Sequence, residues 1–124
     1  MSAAERLFGR LRVAIHRRLW GGDIHPSAIV HRTAYLDRTW PKGLHIEAGC
    51  RIGPDAIVLS HDMTRGLFVD TRIGAGTVME SRSIVMPGVT VGRSCLIEAG
   101  AVVTKDVPDG HRASGNPAQF TPIE

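Results

Sequence analysis

Aromatic residues are scarce in this 124-residue chain, at 5%, and there are only two cysteines, Cys50 and Cys95. With few aromatics, a core built around large rings is not expected. Two cysteines are too few for a disulfide-stapled scaffold, so both read as reduced thiols. No stretch is long and apolar enough to span a bilayer. The arginines Arg10 and Arg12 interrupt the apolar positions near the start, unlike the unbroken apolar segment of a secretory leader. The expected location is the cytoplasm. At this length one domain is the default, with no room for separate cofactor and substrate domains of the dehydrogenase or kinase kind. Glycine is abundant by contrast, at 14 residues, and hydrophobic residues make up 43%. That composition excludes collagen and a disordered tail.

The net charge of +3 is unevenly placed. Residues 1–20 hold Arg6, Arg10, Arg12, Arg17 and Arg18 against Glu5, a net +4, and the remaining residues sum to −1. Nucleic acid is not an expected partner, because the basic segment lacks interleaved aromatics and the rest is not basic. The segment reads as an amphipathic helix over residues 1–22. Ser2-Ala-Ala-Glu5 is a capping box, and Ala4, Leu7, Phe8, Leu11, Ile15 and Leu19 recur at three- and four-residue steps, until Gly21 and Gly22 stop the pattern. The helix is expected to dock on the protein's own domain or on a sister subunit. Peripheral contact with an anionic membrane surface through residues 1–20 is the other use of such a helix.

From residue 23 onward a six-residue period takes over. Aliphatic or Met residues return at Ile24, Val30 and Leu36, at Ile46, Ile52 and Val58, and at Ile73, Met79, Val85, Val91, Ile97 and Val103. Small or branched residues follow four positions later, as at Thr77, Ser83, Val89, Cys95, Ala101 and Val107. Neither a helix nor an ordinary strand sustains a period of six. Hexad repetition predicts an all-β solenoid, a parallel β-helix of about four triangular coils with the aliphatic positions inside and glycine or proline at the corners. Cys50 and Cys95 fall on the small inward position and read as core thiols.

The phase breaks twice. Ten residues separate Leu36 from Ile46, placing an insertion around Trp40-Pro-Lys-Gly43, and fifteen separate Val58 from Ile73, making 60–72 an excursion from the coil. Solenoids carry such insertions at corners, where they commonly line a binding face. Residues 23–119 thus form the predicted solenoid domain, with 120–124 a tail.

Ile73-Gly-Ala-Gly, Ile84-Val-Met-Pro-Gly-Val-Thr-Val-Gly92, Ile97-Glu-Ala-Gly-Ala-Val-Val-Thr-Lys-Asp-Val-Pro108 and Ser114-Gly-Asn-Pro-Ala118 resemble the C-terminal half of the hexapeptide-repeat acyltransferases, including the sugar and serine O-acetyltransferases. The similarity runs from about residue 46 to 119. It implies a left-handed coil, a homotrimer with sites between subunits, and acetyl transfer from acetyl-CoA. In that family a His on the loop after the second coil is the general base, which marks His61 in Ser60-His61-Asp62. Imidazole titrates near neutral pH and suits the removal of a hydroxyl proton. Asp62, or Asp70 at the far end of the loop, is expected to hold the ring. The family's coenzyme contacts match Ser81 and Ala99 at coil corners along the pantetheine arm, and Thr104 with Lys105 near the nucleotide. Arg112 is a second candidate cation for phosphate. Gln119 stands where several relatives carry a basic residue.

The resemblance implies an acetyl-CoA-dependent O-acetyltransferase acting on a hydroxyl of a sugar or cell-surface saccharide precursor, in the cytoplasm or at its membrane surface. The alternative is a noncatalytic trimeric scaffold on the same solenoid. No metal is expected: of the six histidines only His25 and His31 share the hexad phase, and that phase puts them on successive faces.

Overall fold

A computed structural model describes residues 2–124. The chain opens with α1 (Ala3–Arg18), capped as its sequence predicts: Glu5 N donates to Ser2 Oγ and Ser2 N to Glu5 Oε2. Each hexad then becomes a two- or three-residue strand whose last residue points inward. The first coil is β1 (Asp23–Ile24), β2 (Ile29–Val30) and β3 (Tyr35–Leu36), and the second is β4 (Leu44–Ile46), β5 (Arg51–Ile52) and β6 (Ile57–Val58). A hairpin of β7 (His61–Asp62) and β8 (Leu67–Phe68) leaves the coil there. The third coil is β9 (Thr71–Ile73), β10 (Val78–Met79) and β11 (Ile84–Val85), and the fourth is β12 (Thr90–Val91), β13 (Leu96–Ile97) and β14 (Val102–Val103). The chain ends in β15 (His111–Ser114) and β16 (Gln119–Pro122).

The coils stack into three parallel sheets, β1-β4-β9-β12, β2-β5-β10-β13-β15 and β3-β6-β11-β14. Register follows the sequence phase: Ile24, Ile46, Ile73 and Val91 make one column, Val30, Ile52, Met79 and Ile97 the second, and Leu36, Val58, Val85 and Val103 the third. None of these twelve is more than 2% exposed. Each contributes on the order of 1.5–3 kcal/mol of burial. The small positions are buried with them, and the two polar ones are satisfied: Thr77 Oγ1 donates to Gly92 O at 2.7 Å and Ser83 Oγ to Glu80 O at 2.7 Å. Cys50 and Cys95 are both free and both in this core.

Two features go beyond what the sequence pattern predicts. The residues set apart as a tail from 120 onward are not loose, because β16 pairs antiparallel with β15, Phe120 opposite Ala113, and covers the last sheet edge. The helix, for its part, does dock on the first coil, but not by its aliphatic stripe. Its buried residues are Gly9, Val13 and His16, whereas Leu7, Phe8, Leu11 and Leu19 are 68%, 60%, 55% and 74% exposed. The reason lies in what the coil end offers. The first coil has no coil beneath it, so its backbone carbonyls need donors, and Arg12 Nη1 donates to the carbonyls of both His31 and Arg32 at 3.1 Å. Close approach also demands a residue without a side chain: a Cβ on Gly9 would lie 2.7 Å from Val30 O.

Candidate active site

Between the third sheet and the next strand of the first, every coil turns the same corner. In the first coil this corner holds Asp37 and a 3-10 turn, Pro41–Gly43; in the second it holds the β7–β8 hairpin. Met86 and Pro87 occupy it in the third coil, Thr104 and Lys105 in the fourth. The two insertions read from the sequence are therefore stacked on one edge of the prism, about 4.8 Å apart along its axis.

Asp37 is completely buried there. Its Oδ1 accepts from the backbone N–H of Thr39 (2.8 Å) and Trp40 (3.0 Å), and its Oδ2 from those of Ser60 (2.9 Å) and His61 (3.1 Å). The His61 ring completes the set, with Nδ1 2.5 Å from Asp37 Oδ2. Burial pushes the Asp37 carboxyl upward, but the N–H groups of Ser60 and Trp40, the His61 ring and the Thr39 N–H outweigh it and hold the carboxyl below its ordinary range. An ionised carboxylate only accepts, so His61 Nδ1 carries a hydrogen towards it, which in the neutral ring leaves the lone pair on Nε2. Among the described residues Nε2 has no hydrogen-bond partner. The side chain is 15% exposed and lines an open groove of about 580 Å³ with Leu59, Met63, Met86 and Pro87.

The surrounding chain is closely fitted. Ser60 Oγ donates to Trp40 O at 2.5 Å, and Thr71 Oγ1 donates to Leu59 O at 2.6 Å while accepting from Gly88 N at 3.0 Å, which ties the base of the hairpin to the coils on both sides. Gly43 sits under the hairpin's return, where a Cβ would come within 2.1 Å of Val69 O and 2.9 Å of Ser60 Cβ. Phe68, directly across the hairpin from His61, packs edge-on against Trp40 with ring centroids 5.4 Å apart.

The orienting carboxylate is neither of those expected. Asp62 turns to Arg65 instead, accepting from Arg65 Nε at 2.8 Å and its backbone N at 3.1 Å, contacts that keep its carboxyl below the ordinary range. Asp70 meets His45 Nε2 at 2.7 Å, and Asp23 meets the other nitrogen of that ring at 2.8 Å. Asp37 escapes a residue-by-residue reading of the loop because it lies 24 positions earlier. The signal that would have found it is the hexad phase: Leu36 stacks on Val58, so whatever follows Leu36 must lie beside the start of the excursion.

The expected coenzyme residues fall in three places. Ser81 and Ala99 are exposed turn residues on successive coils of a different corner, the one joining the second sheet to the third, where Gly100 N donates to Ser81 O at 3.0 Å. Thr104 and Lys105 are exposed on the His61 corner, two coils further along, and Lys105 forms no ion pair among the described residues. Arg112 lies on β15 with its Nη1 2.9 Å from Glu98 Oε1, so its charge is already matched. His25 and His31 each accept a backbone N–H two residues on, from Ser27 and Thr33, at separate corners.

A triangular coil of phased hexads, opened at one corner by a loop that carries a carboxylate-held His, defines a class. Residues 70–105 match the family model described as bacterial transferase hexapeptide (six repeats). A serine acetyltransferase of Bacillus pumilus is 30% identical over 115 residues, 89% of this chain and 52% of that protein. The chain spans about half the length of the curated relatives it matches. Among solved structures, a maltose O-acetyltransferase from Clostridium difficile 630 superposes with a TM-score of 0.67 at 23% identity, covering 97% of this chain and 82% of that one. A hexapeptide-repeat acetyltransferase from Vibrio cholerae, complexed with acetyl-CoA, gives a TM-score of 0.62 at 19% identity, covering 94% and 85%. Residues 70–105 of the chain thus carry the repeat of the hexapeptide transferases, and its fold is the left-handed parallel β-helix of these proteins.

Proposed function

We propose that this protein is an acetyl-CoA-dependent O-acetyltransferase whose general base is His61, oriented by Asp37. The observation that carries the reading is the Asp37–His61 pair: a buried carboxylate held against Nδ1 of a ring that lines an open groove. Acetyl-CoA supplies the activated acyl group as a thioester. His61 Nε2 takes the proton of the acceptor hydroxyl as its oxygen bonds to the acyl carbon, and the imidazolium, stabilised by Asp37, then returns that proton to the departing thiol sulfur. The products are an acetyl ester and free CoA, with no acyl group passing through the protein. The core cysteines have no part in this, since burial raises the Cys50 thiol and both sulfurs lie inside the coil.

The residues present fit the donor. Lys105 is an unmatched exposed cation suited to a phosphate, and the small side chains of Ser81 and Ala99 leave backbone accessible to a pantetheine arm. These two groups stand on different edges of the prism, with the outer face of the third sheet, bearing Tyr35, Ile57, Ile84 and Val102, between them. A donor lying along Ser81 and Ala99 would have to cross that face to reach the His61 of its own subunit. This supports a homotrimer as the working unit. A sugar hydroxyl is the acceptor we favour, because Trp40 and Phe68 beside His61 offer an apolar surface to a pyranose face. The place of action we propose is the cytoplasm.

The test is CoA-thiol release from acetyl-CoA across a panel of sugars and amino acids, with thermal melting in CoA alongside. Thiol release with a saccharide and a rise in melting temperature with CoA support the enzyme. No release with any acceptor and no stabilisation by CoA favour the scaffold.

A further inference from the structure

We propose that the outward face of α1 is a docking surface for an anionic lipid membrane. This rests on the placement of the helix and not on the acetyl-transfer reading. The helix is held on the first coil by Gly9, Val13 and His16 and by Arg12 on two carbonyls, so its aliphatic stripe takes no part in the chain's own core. Leu7, Phe8 and Leu11 are more than half exposed, and Leu19 and Trp20 extend the apolar surface past the helix end at 74% and 37% exposure.

Cations border this surface on both sides. Arg10 and Arg17 fall on one flank by helical spacing, and Arg18 projects within the stripe itself. On the other flank an apolar groove of about 510 Å³ runs between α1 and the first coil, past Phe8, Leu11, Ile15 and Trp20, and Arg32 and Arg38 line its far wall. The Arg38 guanidinium stands 5.4 Å above the Trp20 ring, an arrangement of cation and amphipathic aromatic suited to the headgroup layer.

Charge selects the occupant. Residues 1–20 carry +4 while the rest of the chain carries −1, so attraction to an anionic surface concentrates at this end. A second copy seated on the same face would bring two sets of arginines together, a repulsive arrangement. Anionic lipid satisfies both halves of the surface: acyl chains take the Leu and Phe side chains to a shallow depth, and the arginines extend toward headgroup phosphates, each adding about fivefold to the affinity at low salt. Among the described residues no helix is long and apolar enough to cross a membrane, and the proposed contact is one of lying on the surface.

The experiment is co-sedimentation of the full chain with vesicles of phosphatidylcholine alone and of phosphatidylcholine mixed with phosphatidylglycerol. Binding to the mixed vesicles is expected, with about tenfold or greater weakening on phosphatidylcholine alone and loss in high salt. Leu7→Glu with Leu11→Glu is expected to lower binding by about tenfold or more while leaving the melting temperature and oligomeric size unchanged. Arg10→Glu with Arg17→Glu, which alters only solvent-facing heads, reports the same loss if the first pair disturbs the helix. Absence of binding to the mixed vesicles overturns the proposal, as does wild-type binding by both variants. A wild-type assembly larger than that of the Leu7→Glu, Leu11→Glu variant also overturns it and assigns the face to a second copy.

Discussion

The Asp37 carboxylate lies 2.5 Å from His61 Nδ1 although 24 residues separate the two along the chain. They meet because one coil of the solenoid brings the chain back to the same corner. If Asp37 sets the His61 tautomer, Asp37→Asn presents a competing amide and lowers kcat by about two to four orders of magnitude, with KM for acetyl-CoA little changed. Asp62→Asn, which disturbs only the contact to Arg65, is expected to stay within about threefold of wild type on the scale of an exposed pair. Steady-state thiol release measures both.

Gly43 is predicted to be intolerant of any side chain. A methyl group there would meet Val69 O and Ser60 Cβ, the two sides of the hairpin base, and the cheapest relief is to push the hairpin outward. Gly43→Ala should cost about 1–3 kcal/mol of stability by overpacking and move His61 away from Asp37. Loss of activity larger than the fraction unfolded, with CoA-induced stabilisation retained, is the expected outcome.

His16 makes the fold acid-sensitive. It is buried against Trp20 with neither ring nitrogen hydrogen-bonded among the described residues. Burial, helped by the nearby Arg12 and Arg38 charges, pushes it down from 6.5 to about 4, while the Leu36 carbonyl and Asp37 pull weakly the other way. The unfolded chain therefore binds a proton at higher pH than the folded one. This contribution is intact above pH 6.5 and drains away as pH falls towards about 4, amounting to up to about 3 kcal/mol. Asp37, held below the ordinary carboxylate range, adds a further loss at still lower pH as it protonates. Chemical denaturation followed over this range should show the decline in wild type and a flatter profile in His16→Leu.

The two candidate phosphate partners are expected to behave differently. Lys105→Ala should raise KM for acetyl-CoA by about five- to tenfold, the loss of one charge-assisted contact. Arg112→Ala should change it by less than about threefold, because Glu98 already takes up that guanidinium. Both follow from initial rates at varied acetyl-CoA.

The core was legible because the six-residue phase is a direct image of a triangular coil: every inward position from Ile24 to Val103 is buried where the spacing puts it. The two phase breaks likewise located the insertions, and His61 with them. Asp37 was not legible from its neighbours, since Leu-Asp-Arg-Thr is an ordinary turn sequence and only the register of Leu36 on Val58 makes it a partner of the later loop. The docking of the helix was legible, but the side it uses was not. An apolar stripe says that a helix is amphipathic, but the surface it meets decides which side is used, and a coil end rich in backbone carbonyls took the side with Gly9 and Arg12. The residues after Gln119 looked like a tail because five residues carry too little pattern to announce a pairing with β15.

The central claim is that His61 is the base of an acetyl transfer. The most direct measurement compares wild type and His61→Ala in CoA-thiol release with the best saccharide acceptor, alongside CoA-induced melting shifts of both. The account predicts a fall in kcat of about two to four orders of magnitude in the variant with an undiminished melting shift. Thiol release by His61→Ala within a few-fold of wild type would contradict it.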